Sequence, residues 1–112
     1  MKFQFIITNL AGGGAERVLI TLAFGLSERG HDVELILFED RIDYCLPSTL
    51  NTTTLTKKAP SGWLGKRYLA HKLRSHLKST PPADLIVSAL PFANEVSVLS
   101  NLKNHWCRVD SI

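Results

Sequence analysis

Residues 3–38 read FQFIITNLAGGGAERVLITLAFGLSERGHDVELILF, and the change of period inside this stretch decides the fold. Phe3 to Thr8 is an apolar run of aromatic and β-branched residues, the composition of a strand buried on both faces. Asn9 to Gly14 follows as a loop with three consecutive glycines. From Ala15 the residues Ala15, Val18, Leu19, Leu22, Ala23 and Leu26 recur at i, i+3, i+4, i+7, i+8 and i+11, which places them on one helical face. Arg29-Gly30 closes that helix, because arginine suits the carbonyl end of the dipole and glycine supplies a left-handed stop. Asp32 to Phe38, with Val33, Leu35, Ile36 and Leu37, is a second strand. This order makes a βαβ unit: two parallel strands joined by a right-handed crossover.

The alternation continues. Glu39 to Leu50 is poorly periodic and broken by Pro47, and the threonine-rich run Leu50 to Leu55 is a short third strand. Pro60-Ser61-Gly62 marks a turn. Trp63 to Ser79 carries the stripe Leu64, Tyr68, Leu69, Leu73 and Leu77 and is ended by Pro81-Pro82. Asp84 to Leu90 is strongly apolar and reads as a central parallel strand. Pro91 and Asn94 open a further helix with the stripe Glu95-Val96, Val98, Leu99 and Leu102, stopping near Asn104. Cys107 to Ile112 begins another strand. The expected class is therefore α/β, a Rossmann-like parallel sheet flanked by helices, with ligands at the carboxyl ends of the strands. A last strand without a covering helix suggests an incomplete domain.

The chain has 112 residues, 45% hydrophobic and 21% charged, with 13 basic and 10 acidic side chains. At this length about two thirds of the unfolded surface can be buried, so one core forms without metal or disulfide. The balance excludes a disordered or fibrous chain. Cys45 and Cys107 match no CxxC spacing and read as isolated thiols, which suits a cytoplasmic setting, with one long-range disulfide as the alternative. No signal peptide and no apolar run long enough to span a bilayer are visible.

The glycine loop carries the sharpest chemistry. Gly12, Gly13 and Gly14 let backbone N–H groups approach a ligand with no Cβ in the way, and the following helix N-terminus supplies unpaired donors and partial positive charge. A phosphate or sugar diphosphate is the natural guest, with Arg17 in the first turn either within reach of it or solvated and paired with a nearby acid. A tight turn without a ligand is the plainer alternative, and Glu16 suits the positive helix end without any catalytic duty. A dinucleotide fingerprint fails because Arg17 stands at the third glycine, even with Glu39 or Asp40 available to read a ribose. A Walker loop is absent.

The run Asn9-Leu10-Ala11-Gly12-Gly13-Gly14-Ala15-Glu16-Arg17-Val18-Leu19, then Leu22-Ala23 and Glu28-Arg29-Gly30-His31-Asp32-Val33, resembles the N-terminal half-domain of family-four glycosyltransferases of the GT-B fold. Pro82-Ala83-Asp84-Leu85-Ile86-Val87-Ser88 and Pro91-Phe92-Ala93-Asn94 resemble the later strand, loop and helix of that family. The resemblance implies a two-domain enzyme that moves a sugar from a nucleotide-sugar donor to a glycan or lipid-linked acceptor with retention of configuration. It also implies that Gly12, Gly13 and Gly14 line the cleft near the donor diphosphate. The donor-binding domain, with its acidic motif and basic phosphate clamp, is not among these residues, so this chain alone is expected to be inactive. No catalytic residue is assigned.

Other residues offer less. His31, His71, His76 and His105 lack metal-ligand spacing, so neither a metal nor a cofactor is expected. His71 and His76 read as surface residues and His31 as a turn residue. Ser27, Ser88 and Ser97 lie in no nucleophile elbow. Ser88 and Asn94 bracket the carboxyl end of the Asp84 to Leu90 strand and are candidate acceptor contacts, or else loop and capping residues. Residues 57–78 hold Lys57, Lys58, Lys66, Arg67, Lys72, Arg74 and Lys78 and no acid, so a chain of net +3 is strongly polarised. With Trp63 and Tyr68 at its start, this helix suits an anionic membrane surface at the inner face of the plasma membrane, or is simply solvated. No nucleic-acid module accompanies the charge. The competing function is a small Rossmann-like module that binds a phosphate-bearing ligand or a protein partner without chemistry.

Overall fold

The computed structural model describes residues 1–11, 13–43, 46, 50–58, 60, 62–100, 102 and 106–109. Its elements run β1 (Lys2–Ile7), α1 (Gly14–Glu28), β2 (Asp32–Glu39), β3 (Asn51–Thr56), α2 (Gly62–Ser79), β4 (Leu85–Ala89), α3 (Pro91–Leu99) and β5 (Trp106–Val109). The five strands form one all-parallel sheet in the order β3-β2-β1-β4-β5. The chain is thus an α/β, Rossmann-like protein.

Register and the strand period of two divide the apolar residues between two faces. Phe5 pairs with Leu35 and Val87, and these belong to the core under Leu19 and Ala23 of α1. One step along, Ile6 pairs with Ile36, and these belong with Ile86 to the core under Leu69, Leu73 and Leu77 of α2 and Ala93 and Val96 of α3. Strands sandwiched between helix layers explain the continuous apolar runs of β1, β2 and β4. The stop after α1 forms as the residues dictate. Gly30 has φ +86°, and the His31 N–H reaches back to the Leu26 carbonyl at 3.2 Å.

The helical stripes are narrower than their sequence pattern. On α1, Leu19 and Ala23 are buried while Val18 and Leu22 stand half in solvent. A helix lying on a sheet buries a limited arc, and the outer members of a broad stripe fall outside it. On α2 the buried set is Gly65, Leu69, Ala70, Leu73 and Leu77, whereas Leu64 and Tyr68 are exposed. Gly65 is there for close approach, since a Cβ would stand 2.7 Å from the Pro60 carbonyl oxygen. Helix α3 ends at Leu99 rather than near Asn104, and it buries Ala93, Asn94, Val96 and Ser97 while Val98 and Leu99 face outward.

His76 corrects its expected place on the surface. Its side chain is mostly covered, and Nε2 lies 3.0 Å from Oε2 of Glu34. That carboxylate also accepts from Gln4 Nε2 at 2.8 Å and Thr53 Oγ1 at 2.7 Å. Burial pushes the Glu34 pKa up, but hydrogen bonds from Thr53 and Gln4 and the charge of His76 outweigh it and hold the group below its ordinary value.

Candidate functional site

Helices of a parallel sheet leave from the carboxyl ends of the strands, and where neighbouring strands send their chains to opposite faces a crevice opens. Here that point lies between β1 and β4, which are adjacent in the sheet. The chain leaving β1 enters α1 over one core, and the chain leaving β4 enters α3 over the other. Residues 8–11 with Gly13 on one side, and Leu90 on the other, therefore form the two lips of the crevice.

The first lip is anchored from below. Leu10 is fully buried and bridges to Ile42, with its N–H on the Arg41 carbonyl at 2.8 Å and its carbonyl taking the Asp43 N–H at 2.9 Å. Asn9 donates Nδ2 to Glu39 Oε1 at 2.6 Å and accepts the Ala11 N–H on Oδ1 at 3.0 Å. Glu39, which the sequence offered as a ribose reader, thus steadies the loop. Gly13 is the N-cap of α1, in extended conformation, and the helix start has no side-chain cap. Neither Gly13 nor Gly14 has a positive φ. A Cβ on Gly14 would meet nothing within 4 Å, and the atoms nearest a Cβ on Gly13 would be those of the Glu16 carboxylate, with Oε2 at 2.1 Å. The backbone at the mouth of α1 is accordingly open, apart from the carboxylate of Glu16 folded over it. That acid sits at the third helical position, where negative charge is favourable beside the unpaired N–H groups.

Arg17 follows on the exposed side of the first turn, and its side chain makes no hydrogen bond or ion pair among the described residues. Gly12 lies outside the described residues. The expected cluster thus comprises a bare Gly14, a Gly13 covered by Glu16, and an outward-facing Arg17.

The second lip is strained. Leu90 has φ +74° and ψ +154°, a region that side-chain-bearing residues rarely occupy. It is held there from both sides. Its N–H donates to the Val109 carbonyl at 2.7 Å, and its carbonyl accepts the Asn94 N–H at 3.0 Å. The Leu90-Pro91 pair announces only that residue 90 is not helical, so the sign of φ was hidden in the sequence. Beneath Leu90 lie Ser88 and Asn94, both buried, with Ser88 Oγ donating to Asn94 Oδ1 at 2.5 Å. Ser97 Oγ donates to the Asn94 carbonyl at 2.8 Å and accepts from Arg108 Nε at 2.7 Å. In this arrangement the Ser88–Asn94 bond ties the start of α3 to β4, and Ser97 ties the same helix to Arg108 of β5.

Among the described residues, no three His, Cys, Asp or Glu side chains come close enough to hold a metal ion. None of the described helices is long and apolar enough to cross a membrane. No protein-family model matches the chain, and no curated protein matches it either.

Proposed function

We propose that this chain is the acceptor-side, N-terminal half of a retaining GT-B glycosyltransferase, with the crevice between the Gly13–Gly14 turn and Leu90 as its part of the active-site cleft. One observation carries the reading. The glycines at 13 and 14 need no left-handed conformation, and the nearest obstacle to a side chain is the movable tip of Glu16. The fold itself does not require glycine there, whereas a ligand approaching the backbone does. The resemblance of residues 9–19, 28–33 and 82–94 to family-four enzymes gives that ligand its chemistry, a nucleotide-sugar diphosphate.

In this reading the chain contributes placement and electrostatics rather than a nucleophile. The N–H groups at the start of α1 would face the negative charge that grows on the departing diphosphate, with the Arg17 guanidinium adding positive charge beside them. Glu16 must swing away for the anion to enter. Ser88 and Asn94 act as positioning residues, since they brace Leu90 and with it the second lip. A glycan or lipid-linked acceptor is held opposite the donor, and transfer follows from bringing the two together in a water-poor cleft. No metal or other cofactor is invoked.

The test is nucleotide release from a panel of sugar donors, assayed with the 112-residue chain and with the longest open reading frame that contains it. Release by the longer protein, lost in a Gly13→Trp variant that still folds, supports the reading. A Gly13→Trp enzyme with unchanged transfer removes the turn from the mechanism. Tight binding of a phosphate-bearing ligand with no turnover by any form of the protein favours the non-catalytic module instead.

A further inference from the structure

The outer face of α2 and α3 is unlike the rest of the surface. Trp63 is 64% exposed, Leu64 75%, Tyr68 47%, Val98 60% and Leu99 40%. Among the described residues these five make up half of the exposed large apolar side chains, and all sit on these two helices. Two grooves flank the ridge of α2. One of about 530 Å³ runs between Trp63 and Lys66 on one side and Val98 and Leu99 on the other. The second, about 590 Å³, is bordered by Lys57, Lys58, Leu64 and Tyr68. Such a patch needs an occupant.

Its charge says which. The only acid on either helix is Glu95, and it is paired with Lys66. Arg67, His71 and Arg74 line a smaller hollow that continues the α2–α3 groove. Aromatic rings and cations also come in pairs, with the Arg67 guanidinium 5.1 Å from the Trp63 ring centre and Lys72 Nζ 5.4 Å from that of Tyr68. A cation stacked on an amphipathic ring suits a boundary where apolar tips enter hydrocarbon while charged ends stay at the level of phosphate. The apolar residues of α2 stand on a convex helical ridge, a shape that a deformable surface accommodates.

We infer that the α2–α3 face is a docking surface for an anionic lipid bilayer, with Trp63 and Leu64 entering the acyl boundary and the exposed Arg67 and Lys78 meeting lipid phosphates, while Lys72 and Arg74 are held by the Leu55 and Ser100 carbonyls. The inference rests on this face alone and stands apart from the transferase reading, because the crevice at Gly13 and Leu90 plays no part in it.

Vesicle flotation of the full chain tests it, with neutral phosphatidylcholine and with phosphatidylglycerol-containing vesicles at about 0.05 M and about 0.5 M salt. At low salt, recovery with anionic vesicles should exceed that with neutral ones roughly tenfold, and the excess should fall at high salt. Trp63→Ser with Leu64→Ser, and separately Arg67→Gln with Lys78→Gln, should each weaken binding roughly tenfold. Val18→Ser with Leu22→Ser, on the opposite face, should bind as the parent does. Circular-dichroism melts establish that each variant folds. In a Trp106→Phe background the fluorescence of Trp63 should shift to shorter wavelength on anionic vesicles, which reports insertion directly. Equal recovery on neutral and anionic vesicles overturns the inference. So does normal binding by the Trp63→Ser, Leu64→Ser protein. Concentration-dependent self-association abolished by the same changes assigns the face to a second copy of the chain instead. Any of these outcomes leaves the nucleotide-release test untouched.

Discussion

The carboxylate of Glu16 lies over the α-carbon of Gly13, so that a Cβ at residue 13 would stand 2.1 Å from Oε2. The acid at the third position of α1 thereby occupies the positive end of the helix, where an incoming anion would have to sit. In the proposed function, helix stability and ligand entry compete for one place, since the carboxylate that favours the dipole would have to leave before a phosphate could bind there.

Glu16→Gln separates those two roles. The variant should lose about 0.3–1 kcal/mol of stability, the usual worth of a negative charge in the first turn. Its affinity for inorganic pyrophosphate should rise severalfold, because repulsion at the helix mouth is removed. Titration calorimetry of parent and variant measures this. Identical affinities would show that no anion binds at this helix start.

Gly14→Ala tests whether glycine is there for the fold. Nothing lies within 4 Å of the new methyl group and the backbone conformation is an ordinary one, so stability should be unchanged or higher by up to about 1 kcal/mol. On the proposed transferase reading, sugar transfer should nevertheless fall. A variant with full activity and full stability would leave residue 14 without a ligand role.

Leu90→Gly should cost less than an ordinary deletion of an apolar side chain. Glycine adopts φ +74° and ψ +154° freely, so release of about 1–3 kcal/mol of backbone strain offsets the lost packing of a half-buried leucine. The comparison is Leu73→Ala in the fully buried stripe of α2, expected to lose about 2–5 kcal/mol. Urea unfolding of both settles it: equal losses would mean that no strain is stored at Leu90.

The Glu34 cluster sets an acid limb. Its pKa in the folded protein lies below the ordinary glutamate value of 4.5. Its stabilising contribution is therefore fully present above that pH and is lost as pH falls through the lower folded value. Glu34→Gln should flatten this limb in thermal melts recorded from neutral to acid pH. A parent and variant that lose stability in parallel would place the acid sensitivity elsewhere.

Much of this architecture was legible in residues 3–38, because strand and helix periods are local properties of the chain. The turn at Gly30, the βαβ order and the parallel sheet followed from them. Less legible was which side of each helix would be buried. Val18, Leu22, Leu64, Tyr68, Val98 and Leu99 belong to apolar stripes by spacing, yet stand outside the sheet contact. The Glu34–His76 pair joins residues 42 apart in the chain, and no local pattern announces such a partner. Ser88 and Asn94 were placed correctly at the end of β4, but the direction of their side chains depends on how α3 packs.

At the candidate site the division is the same. The three glycines and the acid behind them are letters in a row, and their chemistry can be read without a fold. The left-handed Leu90 between Val109 and Asn94, and its position across the β1–β4 crevice from Gly13, arise only when distant strands pair. Composition and period act over a few residues. Strain, burial and the meeting of two loops depend on contacts that exist only after the chain has closed on itself.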